Sequence, residues 1–487
     1  MKRTTTLHKP QSQSASARSE PASQSESRSD QHGPLLAALN VVCRPVDQLV
    51  PDPGNARIHT PTHIAQIAKS IQTFGFNVPI LIDANLAVIA GHGRLLAAKH
   101  LGWTQVPSIM LEHLSTYQIR AYRLADNRLT DCSIWSEQLL AQELKELANA
   151  ELSFDLDAIG FEMPEIDLRI QSLDQYSSEE DAVESPALNG PAVSCLGDLW
   201  TLRSHRIVCG NALDADTYAA LLQGQHAAMV FTDPPYNVPI AGHVSGNGQL
   251  QHPEFLMASG EMSREVFTDF LGKSLGAIKQ SCMAGSLLYV CMDWRHMGEL
   301  LTAGEAHGLE LKNVCVWDKG CGGMGSLYRS QHEMVFVFKS GEGKHTNNVQ
   351  LGRFGRNRSN VWSIPGANSF ARDTAEGNLL ALHPTVKPVA LVAEAILDAS
   401  KRGSVVLDPF LGSGTTLIAA ERTGRMGYGI ELDPRYVDTA IRRWQRLTGR
   451  AAVHARSGAT FDQIEAIQSA RTAGSHLPAT ASVDQGE

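Results

Sequence analysis

Hydrophobic and polar positions divide the chain into two folded stretches, about 36–170 and 193–465, separated and flanked by polar segments. Residues 8–33 contain no Leu, Ile, Val or Phe and are dense in Ser and Gln. Such a segment cannot bury enough apolar surface to offset its conformational entropy, so residues 1–35 read as a disordered tail. Residues 171–192 read as an acidic linker with Asp174, Glu179, Glu180, Asp181 and Glu184, followed by Pro186 and Pro191. Residues 466–487 read as a flexible tail.

In the first stretch, Thr60-Pro61 is a helix cap with a first-turn proline, Ile64, Ile67, Ile71 and Phe74 follow at helical spacing, and Gly75 ends the helix. Val78–Ile82 and Leu86–Ala90 alternate as strands around an Asp83-Ala84-Asn85 turn. Gly91-His92-Gly93-Arg94 opens a helix that Gly102 stops, a strand follows over Val106–Leu111, and Ser115–Asp131 is a helix bearing Arg120, Arg123 and Arg128. A glycine-flanked helix N-terminus with Arg and His favours anions.

In the second stretch, Ala228–Phe231 is a short apolar run that reads as a buried strand, and Asp233-Pro234-Pro235-Tyr236 follows it. In open α/β sheets, ligands bind at the carboxyl ends of strands. The prolines fix φ and remove two donors, leaving carbonyls and a carboxylate as acceptors beside a flat ring. That suits a planar amine that donates two hydrogens while its ring stacks on Tyr236. A rigid loop is the plainer reading of the tetrapeptide taken alone.

Farther on, Ser404–Leu407 is a strand, Gly412-Ser413-Gly414 a tight turn, Thr415–Thr423 a helix ended by Gly424, and Tyr428–Ile430 a strand closed by Glu431. This is a β–α–β unit with a glycine turn and an acidic residue placed for ribose hydroxyls. Leu417 stands where a dinucleotide fingerprint has its third glycine, and no Gly-Lys-Ser/Thr occurs. A phosphate cradle is therefore disfavoured, and an adenosyl group without phosphates, such as S-adenosylmethionine, fits.

Asp233-Pro234-Pro235-Tyr236 together with Asp408-Pro409-Phe410-x-Gly412-x-Gly414-Thr415-Thr416 resembles the amino-group DNA methyltransferases. The tetrapeptide precedes the cofactor loop, as in the circularly permuted β-class. His383-Pro384-Thr385-Val386-Lys387-Pro388, Trp317-x-Lys319 and Gly325–Glu333 also look like that class. Cys209-Gly210-Asn211 departs from it, since the family usually has Gly-Asp there. The first stretch resembles the ParB-like, sulfiredoxin-related domain, with Gly93 in place of one expected arginine. Its site is open between a live nucleotide site and a DNA-docking scaffold, in which Arg94 would hold a DNA phosphate.

The resemblance implies an α/β chain: a Rossmann-like methyltransferase domain, with a mixed, mostly parallel sheet and helices on both faces, preceded by a small α+β ParB-like domain. It implies transfer of a methyl group from S-adenosyl-L-methionine to N6 of adenine in double-stranded DNA, with Asp233, Pro234, Pro235 and Tyr236 catalytic. N4 of cytosine is the alternative acceptor. For the cofactor it implies Glu431 on the ribose, Asp408 facing the methionine amino group, and Phe410 lining the pocket. Gly412 and Gly414 allow close approach, and Thr415 or Thr416 and Lys387 meet the methionine carboxylate. Rival readings are a partition-type DNA-binding module with a degenerate methyltransferase half, and methylation of RNA or protein.

Composition refines this picture. A chain of 487 residues suggests two or three domains. No apolar run is long enough for a membrane span, no apolar leader begins the chain, and eight scattered cysteines without a C-x-x-C pair suggest a reducing cytoplasm and no zinc site. A prokaryotic or phage-encoded protein is expected, compatible with a homodimer and with no restriction partner identified. The net charge of −9 does not advertise nucleic-acid binding, but residues 344–372 carry Lys344, Arg353, Arg356, Arg358 and Arg372 without an acid, interleaved with Phe354, Trp362 and Phe370. That segment, within a recognition region at about 340–378, is expected to contact DNA.

Overall fold

The computed structural model describes residues 39–173, 192–238, 260–320, 322, 327–353, 355–365 and 386–474. Residues 1–38, most of the 171–192 linker, residues 239–259 and 475–487, and Gly325, Ser326, Phe354, Phe370, Arg372 and His383–Thr385 lie outside them, whereas residues 466–474 of the expected C-terminal tail are helical. The chain forms two compact units, Met1–Cys132 and Ser133–Glu487.

In the first unit the elements are β1 (Val41–Pro45), α1 (Pro61–Phe74), β2 (Ile80–Ile82), β3 (Val88–Ala90), α2 (His92–His100), β4 (Gln105–Met110) and α3 (Thr116–Asp131). They build a four-stranded sheet in the order β1-β4-β2-β3. Thr60 caps α1 by accepting from His63, and Ser115 with Gln118 forms a capping box on α3. β2 and β3 are shorter than expected. The Asp83 carboxylate accepts from the Asn85 and Ala87 amides and draws Leu86 into the turn at φ 61°.

The second unit begins with α4 (Glu137–Asn149) and α5 (Met163–Gln171). There follow β5 (Leu199–Leu202), β6 (His205–Cys209), α6 (Ala215–Leu222), β7 (Ala227–Thr232), α7 (Arg264–Gln280), β8 (Cys282–Met292), α8 (Met297–Ala306), β9 (Glu310–Asp318), β10 (His332–Lys339) and β11 (Val361–Ser363). It ends with α9 (Val389–Ala399), β12 (Val405–Asp408), α10 (Thr415–Thr423), β13 (Met426–Glu431), α11 (Pro434–Thr448), β14 (Val453–His454) and α12 (Phe461–Gly474). Ten strands form one mixed sheet in the order β11-β9-β10-β8-β7-β12-β13-β6-β5-β14, parallel through its centre from β8 to β6.

Successive residues of β7 serve opposite faces. Met229 and Phe231 join a core with α9, α10 and α11, while Val230 joins one with α6, α7 and α8. Burial on both faces explains why the central strands read as unbroken apolar runs.

The domain boundary at 170 moves to 132. Buried Asp167 of α5 pairs with Arg425 at 2.8 Å and Arg402 at 3.0 Å, and Arg356 reaches Gln171 at 3.0 Å. These links tie α4 and α5 to the large sheet unit, so this helical pair is part of it.

Candidate active site

β7 and β12 are adjacent and parallel, with Met229 opposite Val406 and Val230 opposite Leu407. Their carboxyl ends therefore meet at one edge, where Thr232 donates to Asp408 at 2.9 Å. The tetrapeptide and the glycine turn, far apart in the chain, form neighbouring halves of one site.

On the tetrapeptide side, Asp233, Tyr236, Glu333 and Lys387 close a ring. The Tyr236 hydroxyl, with one proton to give, lies 2.5 Å from Asp233 Oδ1 and 2.7 Å from Glu333 Oε1. Lys387 Nζ donates to Asp233 Oδ2 at 2.6 Å and to Glu333 Oε1 at 2.8 Å. Lys319 Nζ holds the other Glu333 oxygen at 2.9 Å. Burial raises the Asp233 carboxyl above the ordinary range, against the opposing pull of Lys387. Burial also works to raise Glu333, but the charges of Lys387 and Lys319 outweigh it and bring Glu333 down to about 2. Asp233, Glu333 and the Cys291 thiol have ligand atoms within 4.8 Å of one another. The Lys387 ammonium already rests on both carboxylates, so it supplies the positive charge that a metal ion would bring there.

On the other side, Gly412 adopts φ 53° and Gly414 φ 85°. A Cβ at Gly414 would come within 2.8 Å of Ala440, whereas one at Gly412 would meet nothing within 4 Å, so the space over that turn is open. Glu431 closes β13. Its Oε2 accepts from Gly412 N at 2.8 Å and its Oε1 from Asp433 N at 2.9 Å, leaving further lone pairs on each oxygen. Burial, then the charge of Asp433, pushes the Glu431 carboxyl up to about 7.

Several expected contacts have other partners. Asp408 is buried and accepts from Thr232, Thr416 and Phe410 N, so its carboxylate braces the turn from below. Burial moves it up to about 6. The Thr416 hydroxyl is committed to Asp408, and that of Thr415 accepts from Arg443. Lys387, expected at a carboxylate of the cofactor, is bound to Asp233 and Glu333 instead. Phe410 packs against Phe270, with ring centroids 6.1 Å apart. Asn211 stands just past the end of β6, beside β13, and its side chain accepts from Leu213 N.

The expected DNA-binding set contracts. Arg356 is buried and pairs with Glu394 and Asp398, both at 2.7 Å, and Arg358 pairs with the same two acids. Trp362 is buried in the core. The acids that neutralise this segment stand on α9, outside the stretch whose charge was counted. Arg353 is exposed and pairs with Glu162, and Lys344 is exposed. In the first unit, Arg94 is half-buried and folds back over Gly91, and burial pulls its guanidinium pKa down. A Cβ at Gly93 would meet Ile67 Cδ1 at 2.9 Å and the His59 ring at 3.0 Å, so a larger residue there requires these side chains to shift. His92 accepts from Asp52 N at 3.4 Å, and Asp52 pairs with Arg123.

Sequence reasoning gave Glu333 and Lys319 no role. The available signal was an acid inside an otherwise apolar strand, His332–Lys339, which calls for a buried partner.

Two carboxylates, Asp233 just past β7 and Glu431 at the end of β13, thus flank the glycine turn after β12 at the carboxyl ends of one parallel run of strands. Residues 227–442 match the family described as DNA methylase, residues 138–196 a ParB-methyltransferase HTH domain, and residues 36–128 the ParB N-terminal domain. The chain thus joins an N6/N4 DNA methylase domain, residues 227–442, to an N-terminal ParB-like domain, residues 36–128. It is 27% identical over 252 residues to the type II methyltransferase M.HpaI of Haemophilus parainfluenzae, covering 49% of this chain and 73% of that one. It is 44% identical over 80 residues to the ParB-like nuclease domain-containing protein YnaK of Escherichia coli, covering 16% of this chain and 92% of YnaK. Among solved structures, the complex of M1.HpyAVI with SAM aligns over 49% of this chain and 98% of that chain, at 18% identity and a TM-score of 0.35. Among the described residues no helix is long and apolar enough to cross a membrane.

Proposed function

We propose that this protein transfers a methyl group from S-adenosylmethionine to the exocyclic N6 of adenine in double-stranded DNA. The observation that carries this reading is the placement of Asp233 and Tyr236 at the end of β7, directly beside the β12 end that bears the glycine turn. The residues present suit the cofactor. The space over Gly412 is open, and Glu431 offers lone pairs to two hydroxyl donors next to it. Bound there, S-adenosylmethionine supplies a methyl group on a sulfonium, a good leaving group.

The target amine of a stacked duplex is out of reach, so the base is flipped into the site. Tyr236 stacks on it, and its hydroxyl is tied down by Asp233 and Glu333, which fixes the ring plane. Asp233 accepts one amine hydrogen and the Pro234 carbonyl the other, which turns the nitrogen lone pair out of ring conjugation. Asp233 also takes the departing proton. Burial makes it a better acceptor than an ordinary carboxylate. Catalysis is then orientation and electrostatics, with no covalent enzyme intermediate.

Asp at the first tetrapeptide position supports adenine over cytosine. Expression in a host lacking modified bases, followed by digestion of its DNA to nucleosides, tests this. N6-methyladenine is the expected product, and N4-methylcytosine would replace the adenine reading. Asp233→Ala should abolish transfer and leave S-adenosylmethionine binding largely intact; near-wild-type activity in that variant would sink the mechanism.

A further inference from the structure

Both oxygens of Asp233 already hold donors: the Tyr236 hydroxyl at 2.5 Å on Oδ1 and the Lys387 ammonium at 2.6 Å on Oδ2. Each oxygen keeps a further lone pair, but an amine arriving at Asp233 competes there with a donor already in place. One atom stands within reach of both: Glu333 Oε1 lies 2.7 Å from the hydroxyl and 2.8 Å from the ammonium. Glu333 is itself immobilised. It sits on β10 in register with Trp317 of β9, only 8% exposed, and Lys319 grips its second oxygen at 2.9 Å.

We propose that Glu333 is a positioning residue that receives the donors the target amine displaces from Asp233. This rests on the reading of Asp233 as the amine acceptor. The exchange conserves hydrogen bonds. The Tyr236 proton turns from Asp233 to Glu333, Lys387 shifts its N–H groups onto Glu333, and the amine N–H takes the vacated Asp233 oxygen. Without Glu333 the displaced hydroxyl and ammonium would be stranded in a buried site, where unsatisfied polar groups are costly. Glu333 and Lys319 also balance the charges of Asp233 and Lys387, so the ammonium does not draw Asp233 away from the amine.

The test uses the full chain on unmethylated plasmid DNA that carries target sites, with tritiated S-adenosylmethionine as methyl donor. Glu333→Gln should lower kcat about 10- to 100-fold, the range expected when one or two buried donors lose their acceptor. DNA half-saturation and calorimetric S-adenosylmethionine affinity should stay within about twofold. The acid limb of the kcat–pH profile should move to lower pH, because removing the Glu333 charge lowers Asp233. A purely structural role would not move that limb. Wild-type kcat with an unmoved limb overturns the proposal, and so does a loss of activity matched by loss of cofactor binding. Should Glu333→Gln fail to fold, Lys319→Met loosens the same carboxylate from its outer side, and its pH profile decides by the direction of the limb. Asp233→Ala separates the two readings. If it is active, the acceptor assignment fails. If it is inactive with cofactor bound while Glu333→Gln behaves as wild type, only the present inference fails.

Discussion

Thr232 and Asp408 join the two halves of the site: the last residue of β7 donates its hydroxyl at 2.9 Å to the last residue of β12. Both side chains are buried, and Asp408 receives Thr416 and Phe410 N as well. Thr232→Val keeps the shape and removes one donor from a buried carboxylate. A loss of about 1–3 kcal/mol is expected, read from equilibrium urea unfolding.

The same burial makes stability depend on pH. Burial moves Asp408 up to about 6 and Glu431 up to about 7, above the ordinary carboxyl values of 3.8 and 4.5. Between those limits the folded protein binds more protons than the unfolded chain, so stability falls as pH rises through that window. The melting temperature should drop from pH 4 to pH 7. Asp408→Asn and Glu431→Gln should each flatten part of that slope.

Cofactor affinity should run the other way. Hydroxyl donors on the Glu431 carboxylate favour its ionised form, so binding is linked to loss of its proton. Calorimetric affinity for S-adenosylmethionine should rise from pH 6 to pH 8 in the wild type. In Glu431→Gln it should be weaker and nearly flat.

Arg356 belongs to the core. Its guanidinium pairs with Glu394 and Asp398 and donates to Gln171. Arg356→Ala leaves two acids without this partner and should cost about 3–5 kcal/mol of stability. The slope of DNA affinity against salt should not change, whereas loss of a residue that neutralises a phosphate would lower it by about one unit.

The helical pair α4–α5 should behave as part of the second unit. A chain beginning at residue 133 retains Asp167 for Arg425, while one beginning at residue 172 leaves that fully buried arginine without it. The longer fragment should melt cooperatively, and the shorter one several degrees lower or not at all, by calorimetry.

The strand–tetrapeptide and strand–turn–helix–strand segments were legible because each is local. Apolar runs, fixed-φ prolines and positive-φ glycines act within a few residues of themselves. The DNA-contact expectation failed at Arg356 and Arg358 because their counter-charges, Glu394 and Asp398, sit on α9, and a charge count within a segment ignores what folds against it. The boundary at 170 failed for the same reason, since Asp167 and Arg425 are 258 residues apart. Lys387 was recognised as a site residue but given another partner. Its position relative to Asp233 depends on how β7 and β12 are brought together, which no single stretch of sequence states.

Because β7 precedes β12 in the chain but pairs with it in the sheet, the site is assembled late in synthesis. When Asp233 leaves the ribosome, neither neighbour of β7 has been made; β8 follows at residues 282–292, and the other edge stays unpaired until residues 405–408 emerge. Lys387 arrives only shortly before them. A nascent chain thus carries the acceptor carboxylate on an open strand edge, with neither its ammonium partner nor the cofactor turn. Such an edge invites pairing with another chain. Premature termination before β12 should therefore yield aggregates, with no half-active methylase among the products.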